Sequence, residues 1–229
     1  MTASPLVVGG CRKTSVVVAA LAALAFAGSA CSGAGGTQSS GNVQTQTRPV
    51  PDFDSIEFSS VGTLTVEQSG SNSLQVQADD NLLPLLTSNV VGSTLQLGIQ
   101  PGANLGRGGT INYRVNVKQL HGLVLSGAGN VDAARVDTAN VSLANSGAGR
   151  LSVSGRTTTE NVDLVGFGEI DAGALVAQDA DVSVGGAGTA TVNAARTLTA
   201  TVTGVGSIAY LGSPAVTQRV TGIGRVEKK

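Results

Sequence analysis

A G-x-G tripeptide returns six times in the second half of this chain, at Gly127/Gly129, Gly147/Gly149, Gly166/Gly168, Gly186/Gly188, Gly204/Gly206 and Gly222/Gly224. The steps between first glycines are 20, 19, 20, 18 and 18 residues. A spacing this regular is the period of a stacked structural coil. A phosphate-binding loop is needed once, and none of the six pairs carries the third glycine of a dinucleotide fingerprint.

Positions counted from each first glycine fall into columns. Four residues on stand Val131, Leu151, Ile170, Ala190, Ile208 and Val226, all apolar. Two residues before stand Leu125, Asn145, Leu164, Val184, Val202 and Val220, apolar in five of six. Three residues on stand Asn130, Arg150, Glu169, Thr189, Ser207 and Arg225, all polar. Apolar and polar positions therefore alternate with the two-residue period of a strand, which turns the first two columns inward and the third to water. Paired glycines permit a corner that needs positive φ or a close backbone approach. The predicted fold is all-β, a parallel β-helix (solenoid) of about six coils of 18–20 residues. One coil cannot bury its apolar face alone, and stacking joins the inner columns into one core. Small Val and Ala side chains suit a narrow lumen, which explains how a chain with 3% aromatic residues can fold.

Ahead of the repeats, residues 54–68, 73–78, 94–99 and 110–117 alternate apolar with polar and read as further strands, separated by Gly- and Ser-containing turns. A single helical turn is expected at Asn81–Leu86, with Asp79, Asp80 or Asn81 as its N-cap. These elements should form an N-terminal strand layer that continues the solenoid and caps it, within one domain spanning residues 48–229.

Residues 1–30 read differently. Arg12 and Lys13 precede an apolar run of 12 residues, Val16–Ala27, and Gly28-Ser29-Ala30 leads into Cys31. The run is shorter than the ~20 residues needed to cross a bilayer and reads as the core of a signal peptide. The small residues before Cys31 resemble a bacterial lipobox, although Gly28 stands where an aliphatic residue is usual. Cys31 is thus the expected lipidation site, palmitate included, and the alternative is ordinary cleavage after Ala30 that leaves a free thiol. Residues 31–47 are rich in Gly, Ser, Thr and Gln without charge, the composition of a flexible linker. Cys11 falls in the cleaved segment, so the mature chain has no internal disulfide. Removing Arg12 and Lys13 takes the formal charge from -1 to -3, which offers no basic field for nucleic acid.

The stretch from Phe53-Asp54-Ser55-Ile56, through Ser-Gly-Ala-Gly at 126–129 and 146–149, to Gly206-Ser207-Ile208-Ala209-Tyr210-Leu211-Gly212-Ser213-Pro214 resembles the head domain of auto-transporter adhesins, the GIN domain, over residues 48–226. That resemblance implies a right-handed β-helix in an exported bacterial protein, often a lipoprotein. It brings no agreed catalytic or ligand residues.

The chain offers little convergent chemistry. His121 is the single histidine, and no serine lies in a G-x-S-x-G elbow, so an ordinary edge histidine is expected. Gly185-Gly186-Ala187-Gly188 begins a calcium-binding repeat, but Ala190 stands where the aspartate is required. Asp132 and Asp171 share one outward column two coils apart, roughly 10 Å, near the upper limit for an inverting glycosidase pair. Arg150 and Glu169 lie on successive coils in one column and should form a surface ion pair.

The expectation is therefore a membrane-anchored binding, adhesion-like or structural module at the cell envelope. It has no catalytic residues, cofactor or metal, its membrane attachment runs through Cys31, and its partner is an envelope glycan or protein. An envelope polysaccharide hydrolase or lyase is one alternative, and an accessory or sensor subunit of an envelope complex is another.

Overall fold

The computed structural model describes residues 36–106 and 108–229, all within one body, Ala34–Lys229. The expected signal segment 1–30 and Cys31 lie outside the described residues.

The strands are β1 (Val43–Arg48), β2 (Ser55–Phe58), β3 (Val61–Gln68), β4 (Ser73–Asp79), β5 (Leu86–Val91), β6 (Thr94–Ile99), β7 (Asn112–Val117) and β8 (Gly122–Leu125). The repeats follow as β9 (Ala128–Asn145), β10 (Arg150–Leu164), β11 (Glu169–Val184), β12 (Thr189–Val202), β13 (Ser207–Gly212), β14 (Ala215–Val220) and β15 (Arg225–Lys228). They form a β-solenoid of about five turns, and the sixth G-x-G pair leads only into the four-residue β15.

The sequence columns are the pairing register. Leu151 faces Val131 and Ile170, Ala190 faces Ile170 and Ile208, and every one of these is fully buried. Leu143–Val162–Val182–Ala200 is a second inner row. Asn145, the polar member of an inner column, is also buried, and it is satisfied within its own corner: it accepts from the Gly147 N–H and donates to the Gly149 carbonyl, both at 3.1 Å.

The glycine pairs are required by crowding. None of the twelve has positive φ. A Cβ on Gly147 would lie 2.0 Å from the Gly127 carbonyl oxygen, and one on Gly149 would lie 1.9 Å from that of Gly129. Each corner nests against the glycine of the coil before it, a close approach that any side chain would prevent.

The N-terminal layer continues the same register. Ser55–Phe58 pairs in parallel with Gly122–Leu125, and Val61-Gly62 pairs with Ala128-Gly129, so β2 and β3 make an additional coil in which Ser60 stands in the glycine column. Ser60 is buried and hydrogen-bonded to the Tyr113 hydroxyl at 3.0 Å. Phe58 meets Tyr113 edge to face, with ring centres 5.4 Å apart. Beyond this coil, β6 and β7 still pair in parallel with β2 and β3, but β5 runs antiparallel to β6 and β4 antiparallel to β7. The reversal ends the stack.

Two expectations need correction here. Residues 43–47, expected in the flexible linker, form most of β1, antiparallel to β4, and Thr37 bridges to Leu105. The polar Gln-Thr alternation of β1 is exposed almost throughout, so it carries no apolar strand signal. Backbone pairing holds it, together with Arg48, which donates to the Leu86 and Leu83 carbonyls at 2.7 and 2.9 Å. The helical turn is a 3-10 turn at Leu83–Leu85 with Leu82 at its N-cap and no side-chain capping bond. Asp79 and Asp80 instead receive the hydroxyls of Ser39 and Ser40, the latter at 2.6 Å.

Candidate binding face

The middle residue of each G-x-G sits at the tip of the corner. Its N–H donates to the carbonyl of the first glycine one coil earlier: Ala148 to Gly127 at 3.1 Å, Phe167 to Gly147 at 3.0 Å, Ala187 to Gly166 at 3.2 Å and Val205 to Gly186 at 3.1 Å. These bonds run along the stack, and Phe167, Val205 and Ile223 point to solvent from the corner. That column reads Ala128, Ala148, Phe167, Ala187, Val205 and Ile223, apolar at every position. Phe167 is 76% exposed, Val205 64% and Ile223 83%. Val165, just before the third pair, is exposed too.

Stacked at about 4.8 Å per coil, these residues make one apolar ridge along the solenoid edge, small at its N-terminal end and, among the last four coils, large at Phe167, Val205 and Ile223 with the small Ala187 between the first two. Thr189, Ser207 and Arg225 run beside it as a polar rail, and between them lies a shallow groove of about 380 Å³. An apolar core with a polar margin is the composition of a recognition surface, and a contiguous exposed apolar row is rarer than scattered apolar residues. Columns read from the strand alternation lie on either side of this one and do not include it. Its signal was six apolar residues in a position whose neighbours are glycine.

The remaining sequence-designated residues fall as follows. Arg150 pairs with Glu169 at 3.0 Å as expected, and its other nitrogen reaches Asp171 at 2.5 Å. Asp171 also accepts the Gly173 N–H at 3.2 Å. Asp132 stands in the same column, with Ser152 between the two carboxylates, so the structure does not bring them together. His121 donates its backbone N–H to the Asp54 carbonyl at 2.8 Å, and its Nδ1 lies 3.8 Å from the Asp54 carboxylate. Ser55, whose hydroxyl donates to Asp54 at 2.8 Å, holds that carboxyl below its usual range. Ala190 is buried in the inner column, so the calcium-like repeat directs no ligand outward there.

Glu160 is fully buried, with Val141 and Ala180 as its neighbours in the inner column, and among the described residues neither carboxyl oxygen has a hydrogen-bond partner. Burial pushes its pKa up to about 8, so the carboxyl is neutral at pH 7. It lies six residues before Gly166, in a column where the other repeats carry His121, Val141, Ala180, Leu198 and Val216, so its signal in the sequence is an acid among mostly apolar residues.

The fold defines a class, the β-solenoid domains. The family described as putative auto-transporter adhesin, head GIN domain, matches residues 52–214, and the chain belongs to that family. A crystal structure of a putative adhesin from Bacteroides fragilis NCTC 9343 is similar, with 27% identity, coverage of 85% of this chain and 100% of that one, and a TM-score of 0.71. A putative lipid binding protein from Parabacteroides distasonis ATCC 8503 shares the fold at 23% identity, over 84% of this chain and 99% of that one, with a TM-score of 0.52. No curated protein matches the chain. Among the described residues, no helix is long and apolar enough to cross a membrane.

Proposed function

We propose that this chain is an exported, adhesion-like binding module, tethered to the extracytoplasmic face of the cell membrane through a lipid on Cys31, which recognises its partner along the G-x-G edge. The observation that carries the reading is the ridge formed by the exposed Phe167, Val205 and Ile223, with the half-buried Ala187 between the first two, beside its polar rail. Membership of the adhesin family and the likeness to the Bacteroides fragilis protein support the adhesion-like part. The export segment and the cysteine that follows it support the tether.

The polar rail and the aromatic Phe167 suit an envelope protein or glycan, the partner chemistry we assign. Enzymatic action is not part of the reading, because Asp171 is held by Arg150 and separated from Asp132 by Ser152. A binding assay of the purified chain against isolated cell envelopes tests this. Retention that is lost on protease treatment of the envelopes identifies a protein partner, and retention lost on glycan removal identifies a glycan. Binding unaffected by Phe167→Ser together with Ile223→Ser would reject the assigned face. Release of reducing ends from envelope polysaccharide, abolished by Asp171→Asn, would replace the reading with a hydrolase.

A further inference from the structure

The outer face of the N-terminal layer is built from β1, β4, β7 and β3, which lie side by side in that order. In β7 the inward Tyr113 and Val115 flank Arg114, which stands exposed on this face. Arg114 faces Gln75 of β4 on one side and Thr65 of β3 on the other, and two residues earlier Asn112 faces Gln77 and Thr63. β1 adds Thr47 opposite Gln75 and Thr45 opposite Gln77. Arg114 is the one charge among these amides and hydroxyls.

Arginines further along the solenoid are neutralised. Arg135 holds Glu67, Arg150 holds Glu169, Arg156 holds Asp137 and Arg196 holds Asp179, each across to an adjacent strand. No carboxylate reaches ion-pair distance of Arg114. All 15 acids of the sequence lie among the described residues, so no other part of the chain can supply one. Of the acids on the strands around it, Glu67 is taken by Arg135, Asp79 is buried and receives the Ser39 hydroxyl, and Asp132 stands one strand beyond Thr65. The planar fork of Arg114 is therefore open to an incoming carboxylate, the group it matches with two parallel hydrogen bonds.

The surroundings define the rest of the ligand. Thr45, Thr65, Gln75, Gln77 and Asn112 line a depression of about 200 Å³ together with Arg114. The Asn112 amide donates to Gln77 Oε1 at 3.2 Å, which leaves the Asn112 oxygen to accept and the Gln77 nitrogen to donate. Side chains that both donate and accept are what sugar hydroxyls require. One guanidinium with no second cation in the depression balances a monoanion, whereas a phosphate group with a charge near −2 would stay only half-compensated. A carboxylate set among hydroxyls meets both conditions.

We propose that this depression binds a uronic-acid unit of an acidic glycan, with the carboxylate in the Arg114 fork and the sugar hydroxyls on Gln75, Gln77 and Asn112. The site lies on the sheet face of the N-terminal layer and uses no residue of the G-x-G ridge, so either assignment can fail without the other.

Heteronuclear NMR titrations of the purified full-length chain with glucuronate, glucose, acetate and inorganic phosphate test the proposal. Glucose lacks only the carboxylate, and acetate lacks the sugar. Glucuronate should give saturable amide shifts centred on β4 and β7, and each of the other three should bind about tenfold more weakly or less. R114Q should weaken glucuronate by a similar factor with an unchanged thermal midpoint, because the side chain is exposed. F167S should leave these titrations unchanged. Absence of shifts with glucuronate, glucose or acetate binding equally well, phosphate binding more tightly, or glucuronate binding that persists in R114Q would each overturn the proposal.

Discussion

The carbonyl oxygen of Gly129 occupies the position from which a side chain on Gly149 would have to start, at 1.9 Å from an ideal Cβ. The same relation recurs from coil to coil, so the glycines act as spacers that let one turn seat in the next. Gly149→Ala must push two backbones apart and is expected to cost about 2–4 kcal/mol in a denaturant titration. Gly185→Ala is the control, since its nearest neighbour, the Thr203 hydroxyl, is 3.5 Å away, and it should lie within about 0.5 kcal/mol of the parent. Similar losses at both positions would show that the corners do not nest.

The inward and outward columns make the second prediction. Ile170 is fully buried between Leu151 and Ala190, whereas Glu169 is half-exposed and paired with Arg150. Ile170→Asp places a carboxylate in the lumen without a partner and should cost at least about 4 kcal/mol. Glu169→Ala should cost under about 1 kcal/mol. Chemical denaturation measures both, and equal losses would contradict the register.

The solenoid was legible in the sequence because every coil repeats the same two-residue alternation against a glycine marker. Columns such as Val131 to Val226 and Asn130 to Arg225 are therefore pairing partners in the fold. What escaped lacked that contrast. β1 is polar on both faces, and β5 carries its apolar residues only in part, so neither shows a strand period. Ser60 hides an extra coil because it stands in the column otherwise held by glycine. The apolar ridge escaped for a different reason: each of its residues lies between two glycines, where period-two reasoning expects a turn and assigns no face.

Glu160 gives the fold a pH dependence. Its pKa is raised from 4.5 to about 8 in the folded chain. Between those values the folded state holds a proton that the unfolded state has released, so stability is fully present below about pH 4.5 and is lost as pH rises. The slope should approach about 1.4 kcal/mol per pH unit within that window and flatten above about pH 8. Glu160→Leu should remove this slope and stabilise the chain at pH 9, read from thermal midpoints across a pH series. A slope unchanged in that variant would show that the carboxyl finds water or a partner.

Anchoring makes a prediction about processing. If Cys31 carries the lipid, Cys31→Ala should move the chain from the membrane fraction to the soluble one or leave an unprocessed precursor. A mature, detergent-requiring form in that variant contradicts the tether.

The central claim is that recognition runs along the G-x-G edge, and a graded set of ridge substitutions measured by equilibrium binding to isolated envelopes tests it most directly. Affinity should fall with the apolar surface removed: little change for Ala148→Ser, a moderate loss for Val205→Ser, and about tenfold or more for Phe167→Ser, with thermal midpoints unchanged because all three side chains are exposed. Equal affinities across the series, with binding intact in the folded variants, would contradict the claim.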